Sequence, residues 1–314
     1  MRFVIDETSW KFNGLSQAVF LEKIETFLDL IDSQIEKGNI VCYSEDLFHS
    51  QVFGDLCFYD LYNPVAPISI PWYIRERISI TFAHLQKWED FDSWPTSFDI
   101  KILPHGILEP APSIAWAHHR NNSNVIDTIA SLVFPGGRVT GFFDVEVANV
   151  TRPAWFISSE IDCVKFFRWI ILNGTTSPAQ LERFANAAFP QLDFVPNVFN
   201  GIKTMSKPYI LLLPNIVHHL SIFSDEGKKI FSGPHIDVPA KFGSLGLNVS
   251  DENGNTKSNS EAKKDHTRTF NGKETQFWWH SKLELDRDRI HLDPTPLNSR
   301  QKIVIGIFCR HLTT

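Results

Sequence analysis

From residue 15 the apolar positions Leu15, Val19, Phe20, Ile24, Phe27, Leu28, Ile31 and Ile35 recur at helical spacing, which places them on one face of an amphipathic helix of about six turns. Gly38-Asn39 supplies the stop, and "IVCY" (40–43) follows as a short buried strand. Residues 60–112 are rich in Pro, Trp and Phe, with one helical stretch, "WYIRERISITFAHLQKW" (72–88), between proline-marked connections. "SNVIDTIASLVF" (123–134) reads as a helix begun on a serine cap. "PGGR" then turns the chain into "VTGFFDVEV", in which Val139, Gly141, Phe143, Val145 and Val147 share one strand face. "AWFIS" (154–158) is a second strand, forming a hairpin with the first or the edge of a broader sheet.

From 160 to about 231 the spacing is helical again, through "EIDCVKFFRWIIL", "TSPAQLERFANAAF" with Ser177 as cap and Pro178 at the first position, and "KPYILLLPNIVHHLSIF". The stretch 243–275 is the most polar in the chain and reads as a long loop or linker. Order returns in "TQFWWH", "DRIHLD" and "QKIVIGIFCRHL", three strands, the last apolar on both sides and so expected to be covered on both faces. The pattern predicts an α+β protein: a mixed helical and sheet body over 1–240, a polar linker over 241–275, and a small antiparallel β-rich module over 276–314.

Composition adds little to this picture and charge a little more. A chain of 314 residues exceeds the size at which one core stops growing, and 26 phenylalanines give it ample core material. The net charge of −6 is uneven: residues 251–314 hold 11 Lys+Arg against 9 Asp+Glu, so the tail is +2 and the rest −8. Anion binding is therefore expected near the C-terminus. Cys42, Cys57, Cys163 and Cys309 are scattered without CxxC pairing and read as reduced thiols. The N-terminus lacks the apolar stretch of a signal peptide, and the longest apolar run, "YILLLPNIV", is short and broken by Pro214, so a cytoplasmic protein without a membrane partner is expected. "FPGGR" lacks the Lys-Ser/Thr of a phosphate loop and no G-x-G-x-x-G or G-x-S-x-G occurs, which disfavours nucleotide cofactors and serine-elbow hydrolases. No cofactor is expected.

Candidate chemistry concentrates in "FWWHSKLELDRDRIHLDP" (277–294), where His280, Lys282, Arg287, Arg289 and His291 stand beside Trp278 and Trp279. The pattern "HSKLELDRDRIHL…QKIVIGIFCRHL" resembles the last three strands of RelE-type ribonuclease toxins, especially the YoeB branch. The matching elements are Lys282-Leu283, Arg287/Arg289-Ile290, the strand from Lys302 to Cys309, and Arg310-His311, about a tenth of the chain. The resemblance implies metal-independent RNA cleavage, in which a ribose 2′-hydroxyl attacks the adjacent phosphodiester. That chemistry needs a base, cations for the phosphorane and an acid for the leaving oxygen. By motif position His311 is the implied acid and Arg289 the phosphate clamp. His280 or His291 is the candidate base, Lys282 a second electrostatic partner, and Glu284 the nearest carboxylate in sequence. The toxins lead with a helical hairpin, whereas here the polar stretch and a much larger body precede the strands, which leaves the base and any dependence on a ribosome open.

Other readings stand beside this one. The same cations, with Arg287, Arg310, Trp278 and Trp279, suit a non-catalytic surface that contacts RNA phosphates and stacks bases, or a protein partner. The alternating signs of "ELDRDR" suit a solvated face. A magnesium-dependent nuclease of the PD-(D/E)xK kind would draw on Asp99-x-Lys101 with Asp90 or Asp92, or on Asp144-x-Glu146. His118-His119 and His218-His219 are adjacent pairs whose side chains diverge on a helix, and structural roles are expected for both.

Overall fold

Phe3, Val4 and Ile5 are bulky apolar neighbours suited to a strand covered on both faces, and all three are fully buried in β1 (Arg2–Ile5). Ser16 caps α1 (Gln17–Glu36), which returns the chain to β2 (Ile40–Tyr43), parallel to β1. A small antiparallel pair, β3 (Gln51–Phe53) and β4 (Leu56–Cys57), precedes α2 (Trp72–Ala83) and β5 (Gln86–Lys87). Then come β6 (Asp99–Ile102), β7 (Glu109–Pro110), α3 (Pro112–Arg120), β8 (Ala130–Leu132), β9 (Gly141–Val147) and β10 (Val150–Ile157). They make an eight-stranded sheet of order β5-β2-β1-β8-β10-β9-β6-β7. Strands β5 to β10 in that order are parallel, and β9, β6 and β7 add an antiparallel flank through the β9–β10 hairpin.

This sheet belongs to the first of two units, Met1–Cys163 and Val164–Thr314, in a computed structural model that describes residues 1–66, 68–93, 95–104, 106–121, 124–284, 287–295 and 302–312. Its core is aromatic: the buried Trp10 ring meets Phe12, Phe27, Phe58 and Phe134 at centroid distances from 4.8 to 6.3 Å. The helix expected over 123–134 is not formed. Val125–Asp127 is a single 3-10 turn, and Ala130–Leu132 is a central strand between β1 and β10. Asn121 explains the local choice, because its amide both donates to the Ile129 carbonyl (3.1 Å) and accepts from the Ile129 N–H (2.7 Å). The wholly buried run that follows suits a strand covered on both faces, and periodicity cannot tell such a run from a buried helix.

Helix α4 (Glu160–Gly174) leads into the second unit, followed by α5 (Pro178–Ala188), β11 (Leu192–Phe194), α6 (Tyr209–Asp225), α7 (Gly227–Phe231) and α8 (Val238–Ser244). The stretch expected as a linker then supplies β12 (Asn248–Asp251), α9 (Gly254–Ser258), α10 (Ser260–Asp265), β13 (Thr267–Phe270) and β14 (Lys273–Gln276). Its asparagines are caps and turns: Asn253 accepts from Thr256 N, Asn259 from Glu261 N and Ala262 N, and Asn271-Gly272 turns β13 into β14 with both φ values positive. The boundaries at 240 and 275 therefore do not mark a linker in the structure.

The C-terminal strands β15 (Trp279–Lys282), β16 (Arg289–Asp293) and β17 (Ile303–Cys309) form the expected antiparallel sheet. It is wider than 276–314, since β12 joins one edge antiparallel and β11 the other parallel, in the order β11-β17-β16-β15-β12. Every residue of β17 is buried. The chain is thus α+β, and among the described residues no helix is long and apolar enough to cross a membrane.

Candidate histidine–carboxylate site

Strand register builds the site. Ser250 of β12 lies opposite His280 of β15, which lies opposite His291 of β16, and the next row sets Asn248, Lys282 and Arg289 side by side. Residues two apart on a strand share a face. Ser250, His280 and His291 thus form one polar row across three strands, and Glu252, two residues beyond Ser250, continues it. The 253–277 segment returns the buried His266, whose ring centroid lies 5.0 Å from that of His291, while His280 lies 5.4 Å from His291.

Glu252 is the hub. Its Oε1 is 2.9 Å from His280 Nδ1, 3.7 Å from Arg289 Nη1 and 3.9 Å from His266 Nε2. His280 Nε2 lies 3.1 Å from the Ser250 hydroxyl, completing a carboxylate–imidazole–hydroxyl chain. His266 and His291 each donate Nδ1–H to a backbone carbonyl, of Ala262 at 2.8 Å and of Phe277 at 3.2 Å. In the neutral rings that bonding fixes the tautomer and leaves Nε2 as a lone pair; on protonation Nε2–H faces the row. Asp288 is buried beside Arg289, its carboxylate accepting from Ser206 N (2.8 Å) and Ser206 Oγ (2.5 Å).

Electrostatics follow from the burial. Burial pushes the Glu252 carboxyl up, but the close His280 and the positive charge of His280, His266 and Arg289 outweigh it and hold it below its usual range. Burial, with His280 and His266 as like-charged neighbours, drives His291 well below an ordinary histidine, and burial also lowers His266. Among the described residues, five buried atoms of this cluster have no hydrogen bond: Glu252 Oε1, His266 Nε2, His280 Nδ1, Arg289 Nε and His291 Nε2. The Glu252–His280 contact is at ion-pair distance but out of line for a hydrogen bond. Buried polar atoms nearly always pair with protein or ordered water, so these atoms are the ones that water or a ligand can engage. Among the described residues no group of three or more His, Cys, Asp or Glu side chains is placed to hold a metal ion.

The expected site residues divide accordingly. His280, His291 and Arg289 are brought together, and Lys282 lies half-buried in the adjoining row. Trp278 stacks on His266, whereas Trp279 is buried against Phe231 and His235. Arg287 is exposed, as are Arg310 and His311 past the end of β17, and among the described residues neither His311 nor Arg310 shares a hydrogen bond or ion pair with the cluster. Glu284 forms an ion pair with Lys207. Sequence reasoning misses Glu252 and His266 because both lie in the supposed linker; its asparagine caps and Asn-Gly turn are the signal that it is ordered. In the first unit Lys101 faces Glu146 across β6 and β9, Asp99 and Asp144 are exposed, and Asp92 holds Trp116 and Arg120. His118 is buried against the Val145 carbonyl, and of the pair on α6 His219 is buried and His218 exposed.

The first unit has a polar cluster of its own at the carboxyl end of β1. Asp6 accepts from Thr8 N (3.0 Å), Thr8 Oγ (2.7 Å) and Arg138 Nε (2.6 Å), and Arg138 also binds Glu109. Glu7 accepts from Ser113 N, and burial together with Asp6 raises its carboxyl to about 7. Comparison of the chain with protein-family models, with curated proteins and with solved structures gave no match.

Proposed function

We propose that the second unit is a metal-independent RNA endonuclease module acting in the cytoplasm, where unpaired thiols such as the four free cysteines of this chain persist. The observation that carries the reading is the Glu252–His280–Ser250 chain with Arg289 beside it. A carboxylate beside an imidazole supports positive charge on it and so favours transfer of a hydroxyl proton to Nε2. Ser250 occupies the place of that hydroxyl. With RNA, Nε2 accepts the proton of the ribose 2′-hydroxyl as the 2′-oxygen bonds to phosphorus and the bond to the 5′-oxygen breaks. Arg289 supplies fixed positive charge to the phosphorane. In this reading His280, backed by Glu252, is the base, and His311, which the structure does not bring to the cluster, carries the role of proton donor to the leaving oxygen by motif position alone. Because His280 and Glu252 are nine-tenths buried, the reaction requires the row to be uncovered, and His266 of the 253–277 segment is one of the side chains packed on it.

The test is single-turnover cleavage of RNA in EDTA by wild type, Glu252→Gln, His280→Ala and Arg289→Ala, with RNA affinity measured alongside. A loss of at least about 100-fold in rate at near-constant affinity is expected for the first two. Equal rates for all four proteins would contradict the reading. The exposed cations Arg287 and Arg310 favour a second one, a non-catalytic RNA-binding subunit, which predicts no cleavage and stepwise loss of affinity as each is removed.

A further inference from the structure

The outer side of the segment that carries His266 is itself a groove, of about 450 Å³, lined by Lys263 and Lys264 of α10, by Arg268 and Thr269 of β13, and by Glu274 and Gln276 of β14. Three cations against one carboxylate leave its wall at +2. Lys263 and Lys264 are exposed, and among the described residues neither enters an ion pair. Arg268 is anchored, its Nη1 donating to the carbonyls of Asp265 (2.9 Å) and Thr267 (2.7 Å), so its charge is held in place. Gln276 connects the groove to an aromatic surface: its Oε1 accepts from Trp278 Nε1 at 3.0 Å. The half-buried Trp278 ring is backed by His266, with centroids 4.9 Å apart and planes at 29°.

We infer that this groove is a subsite for single-stranded RNA, in which Lys263, Lys264 and Arg268 follow the phosphate backbone and Trp278 stacks a base. The inference rests on the RNA-directed reading of the neighbouring site. Its chemistry is a basic track ending in a π-face, the pattern by which sequence-tolerant single-strand binders work. An acidic peptide would satisfy the lysines but would leave the tryptophan face without a flat partner. Trp278 is backed by His266, whose Nε2 lies 3.9 Å from Glu252 Oε1, so a base stacked on Trp278 is linked to the buried row through that one imidazole.

The experiment is fluorescence anisotropy of an end-labelled single-stranded RNA with the full-length chain in EDTA, across a salt series. Wild type is compared with Lys263→Gln/Lys264→Gln, Trp278→Leu and Glu252→Gln, and polyglutamate serves as competitor. The double lysine variant is expected to bind about 10-fold or more weaker, with the slope of log affinity against log salt shallower by about 1.4, at roughly 0.7 for each single-strand phosphate that a lysine no longer neutralises. Trp278→Leu weakens binding with the slope unchanged, since stacking releases no counterions. Both lysines are exposed, so an unchanged thermal melt accompanies the weaker binding. No binding by wild type, unchanged affinity in the double variant, or competition by polyglutamate as strong as by RNA would each overturn the proposal. Failure of cleavage with lysine-dependent binding intact removes only the catalytic reading. Cleavage with lysine-independent binding removes only the groove.

Discussion

Two buried polar clusters, one in each unit, answer their charges differently. In the first, Asp6 has a donor for each oxygen, and the arginine that supplies one of them also engages Glu109 and Thr8. In the second, Glu252 sits between two imidazoles and a guanidinium, yet among the described residues its Oε1 and four nitrogens of the cluster lack hydrogen bonds. A satisfied network fixes a turn at the end of a strand and asks nothing further. An unsatisfied one leaves polar atoms that water, a ligand or a proton can still engage. Glu7 is the exception in the first cluster: among the described residues its Oε2 also lacks a partner, and burial together with Asp6 raises its carboxyl to about 7.

The comparison breaks most sharply at Arg138. Its side chain and that of Asp6 are almost wholly buried, so Arg138→Ala leaves a buried carboxylate without its counter-charge. Equilibrium unfolding in urea is expected to record a loss of about 3–5 kcal/mol; a loss under about 1 kcal/mol would show that the first cluster is no more bound up in stability than the second.

Protonation separates the two units next, and in opposite directions. The contribution of Glu7 is full below its ordinary 4.5 and is lost as pH rises through about 7, a swing on the order of 3 kcal/mol. His291 and His266 have lowered values, so their contribution is full above an ordinary 6.5 and is lost as pH falls through the lowered values. Hydrogen exchange between pH 5 and 8, corrected for intrinsic rates, should find the first unit better protected at the acid end and the second at the alkaline end. Glu7→Gln should flatten the first trend alone, and parallel trends in both units would refute the assignment.

The smallest expected effect concerns the support of the histidine row. Gly306 of β17 lies against the ring of Phe277, where an added Cβ would come within 2.2 Å, and the Phe277 carbonyl is the acceptor for His291 Nδ1. Gly306→Ala is therefore expected to destabilise by about 1–3 kcal/mol through overpacking. The companion change Phe277→Leu should recover part of that stability, and if it recovers none, the clash is not with this ring.

Legibility in the sequence followed the physics of each segment. Helix α1 and strand β17 were readable because a one-faced helix and a doubly covered strand each leave an unambiguous pattern. Strand β8 was not, because a short wholly buried run has no period to read and the deciding contact comes from the side chain of Asn121. The 241–275 stretch misled through composition: Asn, Ser and Gly that suit a mobile loop equally suit caps and tight turns. In the site, period-2 spacing put His280 and Lys282, and Arg289 and His291, on shared faces. The register that makes them neighbours, and the long return that adds Glu252 and His266, are tertiary facts that no local pattern contains.

The central claim is that the unsatisfied row is an acid–base site for RNA, and product chemistry tests it most directly. End-labelled single-stranded RNA is incubated in EDTA with the full-length chain and with His280→Ala, and the new termini are identified. The account predicts 2′,3′-cyclic phosphate ends with wild type and their disappearance with the variant. Intact RNA with wild type, or the same products at the same rate without His280, would contradict it.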